Sequence, residues 1–461
     1  MWEIALEVGY RASVLPWYAY RTWIQKKQIP GWHERWQGHI IRQRPEQPCV
    51  WFHGVSVGEV LQLQGLWERF RNCWPGYEGV ITTSTLAGRD VILQKYPEAT
   101  VGWWPWDFRR AVSHALDHVR PELVVLVELE LWPNFLWTAH RRKIPVMLVN
   151  GRLSARSYHG YRWMTPMLRS IWPAFEMMLV QHEDYAERFL SLGCPPERLQ
   201  VTGNIKYDGV VMDREHPYVV EMRHQWRLAP EEHVFIAGST QDPEELYALQ
   251  VWSALQARDP RWRLMIVPRH PERFASVAQS IAAHGWPVWC RTAARDGREP
   301  SGSDRPPVLL LDTLGELKYA WGLADIAFVG GSFTQRGGQN MLEPAGYGAS
   351  ILFGPHTWNF KDAVEQLLAA KAAVIVHNPA ELRSQVLRLA QDSAERRRMG
   401  EAARSVVLTH RGATDRTWQI IQTVLERRAR RRLRSEKSPD WTENPPHFGE
   451  RSMLPRLPKA A

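Results

Sequence analysis

The feature that most constrains this chain is a recurrence. Short, continuously apolar runs alternate with stretches long enough for a helix, from near residue 49 to beyond residue 350. The runs are CVWFHGVS, EGVITTST, TVGWW, ELVVLVELEL, IPVMLVNGRL, FEMMLVQ and LQVTGNIK. After a break come HVFIAGST, RLMIVPRH, PVWC, VLLLDT, DIAFVGGSF and SILFGPH. Most lack the apolar–polar alternation of a strand with one wet face. A strand apolar on both faces needs cover on both, which crossover helices give to a parallel sheet. The single break predicts two successive doubly wound α/β units. The length of 461 residues agrees, since one domain uses ~150 residues.

The boundaries follow. Residues 1–40 precede the pattern, 41–208 form the first α/β domain, and 209–228 read as a connector. Residues 229–425 form the second domain, and 426–461 read as a basic, disordered tail. The insert RTAARDGREPSGSDRPP at 291–307 reads as a surface loop. The last helical pattern runs from about 413 to 430, and the Pro-rich stretch after it is too polar to fold alone.

Composition matters at three points. The formal net charge is +9, but much of it sits in ERRARRRLRSEK at 426–437. A terminal basic run without a recognition motif does not make a nucleic-acid binder; it is either a solvated helix end or a membrane-surface contact. The four cysteines, Cys49, Cys73, Cys194 and Cys290, include no CxxC pair, which argues against structural zinc and fits a reducing compartment. Cys49 and Cys290 read as core. The N-terminus MWEIALEVGYRASVLPWYAYRTWIQKK lacks a signal peptide's layout, and Glu3, Glu7, Arg11 and Arg21 interrupt it too soon for a span. Its aromatic residues followed by Arg21, Lys26 and Lys27 suit an interfacial anchor or a helix packed on the protein itself.

Ligands of doubly wound sheets bind beyond the carboxyl ends of the strands. Distinctive clusters fall there: HGVSVGE (53–59), TTSTLAG (82–88), ELELWPN (128–134), NGRLSARS (150–157), GNIKYD (203–208), AGSTQDPEE (237–245), PRHPERF (268–274), DTLGEL (312–317), GGSF (330–333) and GGQNMLEPAGYG (337–348). Glu59 reads two ways. Ser56-x-x-Glu59 fits a capping box, and a strand-to-helix turn also suits a catalytic base. Lys206 alone reads as a surface lysine. Glu343 suits either a helix start or hydrogen bonds to sugar hydroxyls. Glycine-rich turns before helices expose N–H groups that bind phosphate, and in the second half they lie near Arg269 and His270. There is no GxxxxGK[ST] and no GxGxxG after the first strand, which excludes a P-loop NTPase and disfavours a dinucleotide fold.

Together and in this order, HGVSVGE, ELELWPN, NGRLSARS, GNIKYD, AGST, RHPERF, DTLGEL, GGSF and GGQNMLEPA resemble the 3-deoxy-D-manno-octulosonic acid (Kdo) transferases of lipopolysaccharide synthesis. The resemblance covers about residues 1–425. It implies the GT-B fold, with an acceptor-binding first domain and a nucleotide-sugar-binding second domain. The implied reaction is an inverting, metal-independent transfer of Kdo from CMP-Kdo to a lipid A precursor, without cofactor, at the cytoplasmic face of the inner membrane. By motif match Glu59 is the general base, and Glu128 and Lys206 stabilise the transition state. Pro268, Arg269, Leu314, Gly315, Glu316, Asn340, Met341, Leu342 and Glu343 match donor-binding positions. The chemistry is self-consistent. A single displacement needs one base, and CMP departs without protonation if cations or N–H donors hold it.

Two positions depart from the family pattern. Gln241 follows AGST, and Gln339 stands in GGQNMLEPA, each where histidine is usual. Glutamine hydrogen-bonds but carries no charge. A GT-B transferase using another nucleotide sugar, such as a UDP-sugar, is therefore the alternative, followed by a catalytically silent homologue.

Overall fold

The structure, a computed structural model, describes residues 30–300 and 305–436. The anchor proposed for the N-terminus and the tail beyond residue 436 lie outside the described residues. Up to Trp418 the described residues form one compact unit, and from Gln419 a second.

The first unit holds two parallel seven-stranded sheets. The first sheet comprises β1 (Cys49–His53), β2 (Glu78–Thr83), β3 (Thr100–Trp103), β4 (Pro121–Val127), β5 (Val146–Gly151), β6 (Phe175–Val180) and β7 (Leu199–Val201). Its order is β3-β2-β1-β4-β5-β6-β7. The second comprises β8 (His233–Thr240), β9 (Trp262–Pro268), β10 (Val288–Cys290), β11 (Val308–Leu310), β12 (Ile326–Val329), β13 (Ser350–Phe353) and β14 (Ala373–Ile375). Its order is β10-β11-β9-β8-β12-β13-β14.

Every strand pair is parallel, so each connection crosses over and leaves helices on the faces. In the second sheet Val234 and Ile236 join one core cluster, while Phe235 and Ala237 join another on the opposite face. That is why the strand sequences are apolar without alternation. The chain has 24 tryptophans. Trp51, Trp104, Trp172, Trp226, Trp252, Trp262 and Trp321 are fully buried, and aromatic side chains of this kind remove about 150–250 Å² each from water.

Chain order reverses between β1 and β4 in the first sheet, and between β8 and β12 in the second. The crevices at these switch points open at the carboxyl ends of the strands. The two halves are tied together directly. Tyr185 donates to Asp362 at 2.8 Å, and Arg152 lies 3.7 Å from the same carboxylate. The chain also returns to the first half, where the Gly412 and Thr414 N–H groups donate to Asp208.

Several sequence expectations need correction. Residues 209–228 are more than a connector: Pro217–Gln225 is a helix, and Val210, Met212, Val219, Met222 and Trp226 belong to the second half's core. The insert after 290 opens with a helix, Arg291–Arg295, and Arg291 is buried beneath Glu316. Cys290 is only half-buried, whereas Cys49 and Cys194 are core. The final helix runs Ala413–Glu436, past the expected end. Leu425, Ala429 and Leu433 recur every four residues, and Glu426 pairs with Arg430 one turn on at 3.8 Å.

Candidate active site

The β1–β4 crevice carries the first cluster. β1 ends at His53, and the helix Val57–Gln62 follows after a short turn. Ser56 is extended, and its Oγ accepts from the Glu59 N–H at 3.4 Å and donates to Glu59 Oε1 at 2.8 Å. The Val55 N–H donates to Glu59 Oε2 at 2.8 Å. The capping box therefore exists. Even so, burial pushes the Glu59 carboxyl up to about 7, with the charges of Glu128 and Glu130 adding to the rise and the two hydrogen bonds opposing it. A carboxyl at that value is half ionised near neutrality, which suits proton abstraction. Cap and base are compatible roles for one side chain.

Glu128 follows β4 with φ of 63°, a left-handed conformation uncommon for a residue with a long side chain. Its Oε1 accepts from Lys206 Nζ at 3.1 Å and from Gln62 Nε2 at 2.8 Å. Lys206 sits in a short 3₁₀ turn, Ile205–Tyr207, capped by Asn204, whose Oδ1 accepts from the Lys206 N–H at 3.0 Å. It is therefore a held lysine, unlike an ordinary surface one.

Asn150 completes the arrangement. Its Nδ2 donates to Gln62 Oε1 at 2.5 Å, and its Oδ1 accepts from the Ile205 N–H at 3.1 Å. Gln181 joins Asn150 to Asn204. Sequence reasoning assigned no role to Gln62, Asn150 or Gln181; the clue for Gln62 was a polar side chain one turn beyond Glu59.

Buried His53 lies on the same rim. Its Nδ1 lies 3.0 Å from the Thr82 carbonyl and 3.1 Å from the Thr82 hydroxyl, and its Nε2 is 3.7 Å from Glu130 Oε2. Trp132 Nε1 donates to the same Glu130 oxygen at 2.6 Å.

In the β8–β12 crevice the glycine-rich turn after β12 is already occupied. The carboxylate of fully buried Glu244 accepts from the N–H groups of Gly331, Ser332 and Phe333 at 2.7–3.1 Å, and from that of Gln241 at 2.8 Å. A Cβ on Gly330 would come within 2.7 Å of Glu244 Oε2, so only glycine admits this approach. The expectation that these N–H groups await a phosphate is thus corrected: the protein supplies their anion. Arg273 is likewise engaged, in a two-point pair with Glu245.

Arg269 differs. It follows buried Pro268, is exposed, and among the described residues nothing hydrogen-bonds or ion-pairs with its guanidinium. Leu314 and Gly315 form an exposed tip, whereas the Glu316 carboxylate below them takes Arg291 at 3.3 Å, Arg295 at 3.1 Å and the Thr313 hydroxyl. Glu316 therefore anchors the loop and has little left to offer a ligand.

In the run 340–343, Met341 and Leu342 are core side chains, so only their backbone is available to a ligand. Asn340 Nδ2 donates to Glu343 Oε1 at 3.1 Å, and burial raises the Glu343 carboxyl above the ordinary range. The Gly338 N–H donates to the Gly331 carbonyl at 2.9 Å, bringing Gln339 beside the occupied turn.

Among the described residues no group of three His, Cys, Asp or Glu is placed to hold a metal ion, and no helix is long and apolar enough to cross a membrane.

Two successive doubly wound parallel sheets define a GT-B protein. A glycosyltransferase from Rickettsia africae has the same architecture at 10% identity, over 82% of this chain and 99% of its own, with a TM-score of 0.51. A UDP-GlcNAc 2-epimerase from Neisseria meningitidis matches with a TM-score of 0.54 at 13% identity, over 82% of this chain and all of its own. The chain itself belongs to the 3-deoxy-D-manno-octulosonic acid transferase family. The family model matches residues 30–209. The transferase of Bordetella pertussis is 33% identical over 82% of this chain and 87% of its own length. That of Haemophilus influenzae is 31% identical over 83% and 88%.

Proposed function

We propose that the chain transfers Kdo from CMP-Kdo to a sugar hydroxyl of a lipid A precursor, in one displacement that inverts the anomeric carbon and uses no metal. The observation that carries this reading is the placement of Glu59, held near neutrality, at the switch point beside the Glu128–Lys206 pair. Glu59 takes the acceptor hydroxyl proton as the oxygen attacks the anomeric carbon. Lys206, its charge steadied by Glu128, offsets the negative charge of the sugar acid and of the departing phosphate.

On the donor side, Arg269 meets the phosphate. Pro268, the Leu314–Gly315 tip and the Asn340–Glu343 run shape the nucleotide site, Met341 and Leu342 through their backbone and Glu316 as a loop anchor. The first half takes the acceptor and the second the donor. A lipid acceptor places the protein peripherally on the cytoplasmic face of the inner membrane.

The test is transfer by purified protein supplied with in situ-generated CMP-Kdo and a tetraacylated lipid A precursor, read by mass spectrometry, with Glu59→Gln alongside. Product from the wild type and none from the variant supports the reading. No product from a folded wild type overturns it. The second reading, another nucleotide-sugar donor, is favoured by Gln241 and Gln339 at the donor-side turn. A donor panel in the same assay separates the two.

A further inference from the structure

We propose that Gln62 is a positioning residue that holds the Glu128–Lys206 pair in register with the helix carrying Glu59. This rests on the transferase reading above.

The hydrogen bonds have only one consistent polarity. The Ile205 N–H can only donate, so Asn150 presents Oδ1 to it and Nδ2 to Gln62. Glu128 Oε1 accepts from Lys206, whose ammonium can only donate, so Gln62 presents Nε2 to that oxygen and Oε1 to Asn150. Both amides are thereby oriented from opposite ends. The chain of bonds starts at Ile205 and, through Glu128, ends on Lys206, the next residue. It is a closed ring.

The ring is also buried where it turns. Gln62 is 8% exposed and Asn150 fully buried, so a broken bond there would not be replaced by water. Glu128 directly follows β4 and Asn150 is the next-to-last residue of neighbouring β5, both with left-handed backbones, φ 63° and 52°. Conformations of that kind persist when their surroundings fix them. Gln62 supplies part of that fixation, and it does so from the same short helix as Glu59, one turn along. Displacing the acid–lysine pair relative to the base therefore means breaking Gln62's bonds.

The test compares Gln62→Met and the isosteric Gln62→Glu with wild type. In the transfer assay Gln62→Met is expected to lower kcat by about 10–100-fold with both KM values nearly unchanged, the size of effect that misplacement of reacting groups produces. Gln62→Glu sets two carboxyls against each other, which forces one to retain a proton. Its acid limb of kcat should shift upward by about one pH unit. Gln62→Glu carries the test alone if the Met variant does not fold.

A readout independent of turnover is the rate at which acetic anhydride labels Lys206, with exposed Lys361 as internal reference. It should rise several-fold in Gln62→Met. If wild type makes no product, the transferase reading has failed, and the labelling result still decides whether Gln62 holds the pair. A folded variant with unchanged kcat, pH limb and Lys206 labelling, even if its Tm has fallen, would overturn the proposal.

Discussion

Lys206 Nζ lies 3.1 Å from Oε1 of Glu128, across 78 residues of sequence. The pair is part-exposed, with side-chain exposures of 32% and 21%, so its worth to stability is small, and its proposed use is local charge. Lys206→Ala is expected to lower kcat by about 100–1000-fold, the range for removing one transition-state donor, while Tm moves by little. Steady-state kinetics together with thermal melts check both halves of this expectation.

Glu59 must be ionised to act as a base. With its carboxyl at about 7, kcat/KM should fall tenfold per pH unit below neutrality and level off above it. A pH–rate profile of the wild type reads this directly. An acid limb near pH 4.5 would contradict the role of burial.

The same raised value has a cost in stability. Unfolded, this carboxyl titrates near its ordinary 4.5; folded, near 7. The native state thus binds a proton that the unfolded state has released, and stability falls as pH rises from 4.5 through 7, then stays level. Glu59→Gln keeps partners for Ser56 and Val55 and removes the charge. It should match wild type in stability below pH 4.5 and exceed it above pH 7 by up to about 3 kcal/mol. Denaturation curves at acid and neutral pH, set beside the lost activity, test the trade.

Glu244 terminates four backbone N–H groups. Glu244→Ala leaves them buried and unpaired, at an expected cost of about 3–5 kcal/mol, as when one side of a buried charged contact is removed. Differential scanning calorimetry should show the loss. An unchanged melt would mean that the turn finds other partners.

Gln241 and Gln339 put neutral amides at the donor-side turn. If the donor's phosphate lies against them, the double variant Gln241→His, Gln339→His should bind CMP-Kdo several-fold more tightly below about pH 6.5, where imidazole is charged, and no more tightly at pH 8. Donor KM at the two pH values is the measurement.

The strands were legible because a buried parallel strand leaves an unbroken apolar signature. β14 was missed: Ala373–Ile375 is three residues long and lies inside an alanine-rich, helix-like stretch. Glu59, Glu128 and Lys206 were singled out by motif order, and the structure brings them to one crevice. Gln62 lies outside every motif, and Asn150, though it opens NGRLSARS, showed no role there, because a buried amide is defined by its neighbours, here 88 residues apart. Glu244 stood in plain sight in AGSTQDPEE. Its task depends on β8 lying beside β12, which local sequence does not encode. Glu316 shows the converse: the motif marked its position, but Arg291 and Arg295 have already claimed its charge.

The anion that Glu244 lodges in the GGSF turn changes how a donor would be gripped. A turn with open N–H groups offers a fixed, desolvated cradle that responds weakly to salt. Here that cradle carries its own counter-ion, and the proposed phosphate contact falls to solvent-facing cations such as Arg269. Grip of that kind fades with ionic strength. It can also be retuned by surface substitution without disturbing the core.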